Sequence, residues 1–154
     1  MADTFSQIYV QIIFAVQGRA NLIQQPFRST LFEYIPGIIR NKNQKPIIVN
    51  GYADHVHAFV GLTPSMRISD LARDIKNSSS KFINDQNWMR GKFAWQVGYG
   101  AFSYGHSQVE QVYNYILNQE KHHHKISFRD EYLGFLERFQ VEQDEKYLFK
   151  WIDK

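Results

Sequence analysis

Residues 47–62 read IIVNGYADHVHAFVGL, and the reading of this stretch decides the fold. Two apolar runs, Ile47–Val49 and Ala58–Leu62, flank the polar turn Gly51-Tyr52-Ala53-Asp54. That is the pattern of two antiparallel strands joined by a short connection. As the second strand enters the sheet, His55 and His57 stand one residue apart. A period of two sets both imidazoles on one face and turns Val56 and Ala58 to the other. Two readings of the pair stand at this point. They are half of a divalent-metal site, with Asp54 as an outer partner, or they are turn histidines without a role.

The flanking sequence extends the sheet. Phe5–Val16 is dense in β-formers and predicts a first strand. Gln25–Asn41 predicts a helix, with Pro26 in its first turn and Pro36 awkwardly inside, where it is expected to kink the chain. Ser65 is the expected cap of a second helix whose apolar face is Ile68, Leu71, Ile75 and Phe82. Phe93–Tyr104, carrying Gly98 and Gly100 and followed by Gly105, should hold another strand and a turn. Ser107 with Glu110 reads as a capping box opening a helix along Val109, Val112, Tyr113 and Ile116. A further helix is expected over Phe128–Leu136, with Val141–Lys154 packing or fraying behind it. Strand, helix, strand, strand, helix, strand, helix is the order of an α+β split βαβ sheet with helices on one face.

Composition narrows the function classes. The 154 residues fit one domain, and 44% hydrophobic with 21% charged residues argues against a disordered or fibrous chain. Without cysteine there are no disulfides, zinc thiolates, iron–sulfur clusters or thiol nucleophiles. No signal peptide or bilayer span is read, so a cytoplasmic protein is expected. The net charge of +3 is uneven, being +5 over residues 1–125 and −2 over residues 126–154, a weak pointer to a polyanion partner. Aromatic residues reach 16%, enough to serve as core, interface or base-stacking platforms.

On the helix after Ser107, Tyr115 and Gln119 lie four residues apart, about 40° from each other around the axis, and so share a face. Either the phenol reaches a phosphate held by a metal, or a boundary tyrosine sits beside a solvated glutamine. His122, His123 and His124 follow. His122 falls near the same face, where it either assists proton transfer or touches a phosphate, or is a solvated helix end, the last being the favoured reading. HExxH, Walker A and nucleophile-elbow patterns are missing, and no extra carboxylate ligand is evident.

Taken in order, three pieces resemble the IS200/IS605-type transposases, single-tyrosine members of the HUH endonuclease superfamily. They are Asp54-His55-Val56-His57 followed by Ala58-Phe59-Val60, Trp95-Gln96-Val97-Gly98-Tyr99 with Phe102-Ser103-Tyr104, and Tyr115-Ile116-Leu117-Asn118-Gln119. The resemblance covers about residues 5–125. It implies a ferredoxin-like, RRM-like sheet with a catalytic tyrosine, Tyr115, on a C-terminal helix. It also implies a divalent ion, Mg²⁺ or Mn²⁺, on His55, His57 and Gln119, with Asp54 and His122 as auxiliaries.

The implied reaction is cleavage and rejoining of single-stranded DNA with hairpin ends through a 5′-phosphotyrosine. The implied assembly is a homodimer whose tyrosine helix completes the partner's site, with Gly98, Gly100 and Gly105 as hinges. Residues 1–125 would be the transposase domain, and residues 126–154 an extension packing on it or across the dimer. Arg40, Lys42, Lys45, Arg67, Arg73, Lys76 and Lys81 are the expected phosphate contacts. Trp95, Tyr99 and Tyr104 are candidates for base stacking. The alternatives are a domesticated, repeat-associated nuclease of the same chemistry and a non-catalytic nucleic-acid-binding module.

Overall fold

The strand pair expected around residues 47–62 forms as β2 (Lys45–Gly51) and β3 (His55–Leu62) in the computed structural model, which describes residues 5–142 and 144–152. Gly51 closes against Val56, and a Cβ at Gly51 would stand 2.2 Å from the His55 carbonyl oxygen, so the turn requires glycine. β1 (Ile8–Ala15) pairs with β3 on one side and with β4 (Gly100–Tyr104) on the other. The sheet order is β2-β3-β1-β4 with every pair antiparallel, which is the ferredoxin-like arrangement of an α+β fold.

Helices α1 (Gln25–Asn41) and α2 (Ile68–Gln86) share one face, as the element order predicts. There Ile12, Phe14, Val56, Ala58 and Val60 from the strands meet Leu31, Ile35, Leu71 and Ile75 from the helices. Pro36 lies inside α1 without ending it. Ser65 does not cap α2. The N-cap is Arg67, which makes no side-chain cap bond, and the Ser65 hydroxyl lies 3.3 Å from that of Thr63 instead.

The opposite face presents Gln11, Ile13 and Ala15 of β1, His55, His57 and Phe59 of β3, and Gly100, Phe102 and Tyr104 of β4. It is covered by α3 (Val109–Leu117), α4 (Gln119–His122) and α5 (Phe128–Arg138). The Ser127 hydroxyl accepts the Asp130 amide at 3.1 Å and so starts α5. This helix buries Phe128, Tyr132, Phe135 and Leu136 in one cluster with Ile13, Ala15 and Phe102. Gly100 allows the approach, because a Cβ there would meet the Tyr132 hydroxyl at 2.6 Å.

The entry to α3 also differs from the expected Ser107–Glu110 box. A 3-10 turn over His106–Gln108 leads in, and the Gly105 amide donates to Gln108 Oε1 at 3.0 Å. Instead of one helix carrying Tyr115 and Gln119, the chain breaks between α3 and α4 at Asn118. Two amides account for the break. Asn118 Nδ2 donates to the Asn114 carbonyl at 2.8 Å, and Asn50 Nδ2, from β2, donates to the Ile116 and Leu117 carbonyls at 3.0 and 3.1 Å. Among the described residues no helix is long and apolar enough to cross a membrane.

Candidate active site

Strand alternation brings His55 and His57 to the α3–α5 face, both fully buried. His55 Nδ1–H donates to Asp54 Oδ1 at 2.7 Å, and His57 Nδ1–H donates to Gln11 Oε1. These bonds fix the tautomers and aim both Nε2 atoms at one point. Aromatic rings hold the imidazoles in place: His55 stacks on Phe128 with centroids 4.1 Å apart, and Tyr115 lies edge-on to His57 at 6.2 Å. Part of the aromatic surplus is thus site wall.

Gln119, also fully buried, sets its Oε1 2.8 Å from His55 Nε2. The unexpected member is Glu131 of α5. Its Oε1 lies 3.1 Å from His57 Nε2, 3.4 Å from His55 Nε2 and 3.0 Å from His123 Nε2. Its Oε2 accepts Gln119 Nε2–H at 2.8 Å and the Tyr115 hydroxyl. His122 Nε2 stands 3.3 Å from the same hydroxyl. His123 is held by its Nδ1–H on the Ile126 carbonyl at 2.7 Å, so this histidine is a buried part of the cluster and not a solvated helix end.

The charges in this cluster depend on one another. Burial opposes ionisation of Glu131, but His57, His123 and His55 around it hold its carboxyl well below the usual range. Burial likewise opposes charge on His55, yet Asp54 and Glu131 overcome it and push the imidazole up to about 9. Burial wins at His57, whose pKa is lowered. The Tyr115 phenol is pushed up by burial and then by the Glu131 charge, so Tyr115 is a proton donor as it stands.

The donor set suits a divalent cation. Two imidazole nitrogens, a carboxylate oxygen and an amide oxygen lie 2.8–3.4 Å apart along His55–Gln119, His57–Glu131 and His55–Glu131. Neighbouring ligands held about 2.1 Å from one octahedral ion stand roughly 3.0 Å from each other. His55, His57 and Glu131 form one candidate ligand group, and His122, His123 and Glu131 a second that shares the carboxylate.

Other expected site residues lie elsewhere. α2 packs on the far face of the sheet. There Arg73 pairs with Asp70 and Asp74, Lys42 with Asp74, and Lys81 with Asp85. Lys76 Nζ donates to the carbonyls of Gln96 and Gly98 at 2.7 and 2.9 Å and ties down the loop before β4. Arg40, Lys45 and Arg67 are exposed. Trp95 is buried in the core, donating to Ser79 Oγ at 3.0 Å, and has no free face for a base. Of the three glycines, Gly98 takes positive φ, Gly100 is ladder-paired in β4 and Gly105 opens the turn before α3.

Sequence reading missed Glu131, His123, Gln11 and Asn50. Glu131 did leave a signal: a carboxylate lies within the Phe128, Tyr132, Phe135 stripe, where an apolar residue belongs.

A ferredoxin-like sheet carrying a histidine pair, with a tyrosine hydroxyl on the same carboxylate as the pair, defines a candidate metal centre with a hydroxyl beside it. The sequence matches the family described as IS200-like transposases over residues 4–119, and the chain belongs to that family. Two solved structures share the fold. One is a protein of Deinococcus radiodurans R1 assigned as a transposase, 19% identical, with a TM-score of 0.61 over 77% of this chain and 95% of that one. The other is a REP-associated tyrosine transposase bound to a REP hairpin, 13% identical, with a TM-score of 0.58 over 82% of this chain and 76% of that one. No curated protein matches the sequence. Glu131 and His123 lie beyond the matched residues, so the family match alone does not point to them.

Proposed function

We propose that this protein is a metal-dependent single-stranded DNA transposase that cuts and rejoins hairpin-bearing ends through a 5′-phosphotyrosine at Tyr115. The observation that carries the reading is the meeting of the Tyr115 hydroxyl with Glu131, the same carboxylate that faces His55 and His57. Membership of the transposase family supports it, as does the hairpin-bound neighbour.

His55, His57, Gln119 and Glu131 would hold the ion, Mg²⁺ or Mn²⁺. When bound, it supplies a Lewis acid for the scissile phosphate and offsets the negative charge that keeps Tyr115 protonated. The remaining roles fall to the chain itself. Glu131 Oε2 orients the phenol, and its proton passes to the neutral imidazole of His122, 3.3 Å from the hydroxyl, whose pKa burial lowers. The phenolate oxygen attacks phosphorus, the bond to the 3′-oxygen breaks, and His122 returns the proton to that oxygen as it leaves. Reversal from a second strand's 3′-hydroxyl rejoins DNA without an external energy source. Asp54 and Gln11 orient the two imidazoles. Two chains form the working unit in this reading, although Tyr115 already reaches the histidine cluster of its own chain. Arg40, Lys45 and Arg67 remain the candidates for distant phosphate contacts.

The test is incubation with hairpin-bearing single-stranded DNA and Mn²⁺, followed by denaturing electrophoresis and peptide mass analysis. A covalent adduct at Tyr115, lost in Tyr115→Phe, is expected. An adduct that persists in Tyr115→Phe refutes the assignment.

A further inference from the structure

Beside Tyr115, between β4, α3 and the end of α5, lies a cavity of about 400 Å³ that the chemistry above leaves unused. Its walls include Tyr104, Gln108, Gln111, Tyr115, Arg138 and Phe139. The Phe139 ring is 37% exposed and stands at 88° to Tyr104, centroids 5.5 Å apart, which makes an open aromatic corner. The Arg138 guanidinium lies over the Phe135 ring at 4.7 Å, and among the described residues it has no carboxylate partner. Its charge reaches the cavity, acting to lower the pKa of both Tyr104 and Tyr115.

We infer that this cavity is the subsite for one unpaired nucleotide flanking the scissile phosphate, with its base against Phe139 and Tyr104 and its phosphate on Arg138. The inference rests on the reading of Tyr115 as the nucleophile. The cavity's size falls in the range of small-ligand pockets, roughly 300–1,000 Å³, and is too small for a partner's helix. Its chemistry is that of a nucleotide. Aromatic faces accept a base of any sequence, glutamine amides match base edges, and a planar cation free of carboxylates matches a phosphate. Because the Tyr115 side chain forms part of the wall, a nucleotide bound there lies against the residue that carries the attacking oxygen. Orientation of the strand would then come from α5, outside the family-matched residues.

The experiment starts from a pool of single-stranded DNA, each strand with one hairpin and randomised flanks, incubated with Mn²⁺. Strands captured on Tyr115 are sequenced, and one is resynthesised with a single abasic site stepped through its cut. An abasic site at one flanking position should slow adduct formation about tenfold, with other positions changing little. In Phe139→Leu that penalty should vanish. Arg138→Gln should raise KM about tenfold with kcat nearly unchanged. Thermal melting checks that both variants fold; should Phe139→Leu not fold, Arg138→Gln and the abasic scan decide. A flat abasic profile with an unchanged KM in Arg138→Gln overturns the subsite while leaving the nucleophile intact. Failure of the unsubstituted protein to capture any strand overturns both.

Discussion

β3 turns Val56, Ala58 and Val60 to one side of the sheet and His55, His57 and Phe59 to the other, and the two sides are closed by different means. On the α1–α2 side the contacts between strands and helices are apolar, with the Trp95–Ser79 hydrogen bond as a buried polar link, and apolar burial accounts for most of the packing. On the α3–α5 side Gln11, His55, His57, Gln119, His123 and Glu131 are all buried. Among the described residues no buried side-chain polar atom lacks a partner, so this network is complete. Completeness does not make it the more stabilising choice, because a buried ionic cluster commonly does no better than apolar groups of the same volume. The α1–α2 face is thus packed almost wholly by apolar groups, while the α3–α5 face combines the apolar cluster around Phe128, Tyr132 and Phe135 with the buried polar network, and a single strand's alternation divides them.

The sharpest way to break this division is to damage the apolar face. Leu71→Ala removes a fully buried side chain between α2 and the sheet and should cost about 2–5 kcal/mol in urea unfolding. At a temperature where the variant is still folded, the rate of adduct formation per folded molecule should not change. A rate that falls with stability would mean that the sheet transmits strain from one face to the other.

Glu131→Gln tests the opposite face. The amide retains the shape and a hydrogen bond to Tyr115 but loses the charge that faces three imidazoles. Mn²⁺ affinity by calorimetry should fall about 10–100-fold, and the adduct should fall with it. Unaltered affinity would leave His55, His57 and Gln119 as the sufficient set.

pH sharpens the comparison further, since among the described residues the buried imidazoles and the buried carboxylate all lie on the α3–α5 face. In the ion-free protein His55 is pushed up to about 9 from an ordinary value of 6.5. A group raised on folding lends stability that is complete below its unfolded pKa and lost as pH climbs through the folded one. The Tm of chelator-treated protein should therefore drop between about pH 7 and about pH 9.5. Asp54 and Glu131 are lowered on folding, so their contribution is lost on the acid side as pH falls below the carboxylate range. A Tm flat across the alkaline range would mean that His55 is not held charged.

Much of this was legible from residue order, and the failures share a cause. Period-two alternation fixed the faces of His55 and His57, because which side a strand residue takes is a local property. The same reasoning did not set the cations of α2 against the histidines, and the structure puts the two on opposite faces of the sheet. Glu131 belongs to no motif, but a charge inside an apolar stripe has a price that only a function or a partner explains. Tyr115 and Gln119 were rightly brought to one place although the helix between them breaks, because α4 resumes after only one residue, Asn118.

That break supplies the smallest and most specific expectation. Asn50 projects from β2, on the polar turn's own strand, and its Nδ2 caps the last carbonyls of α3 at Ile116 and Leu117. No sequence pattern links residue 50 to residue 116, since the bond depends on the sheet and helix having already packed. Asn50→Ala should cost only about 1 kcal/mol of stability, the usual net worth of such bonds. Its effect on Tyr115 should be larger in kind, since the cap sets where α3 ends and hence where the phenol lies against Glu131. Adduct formation should slow several-fold while Mn²⁺ affinity, with three of its four proposed ligands on β3 and α5 and only Gln119 on α4, stays within twofold (about 0.4 kcal/mol). Equal losses in both would place Asn50 in the shared scaffold of the site and not specifically behind the nucleophile.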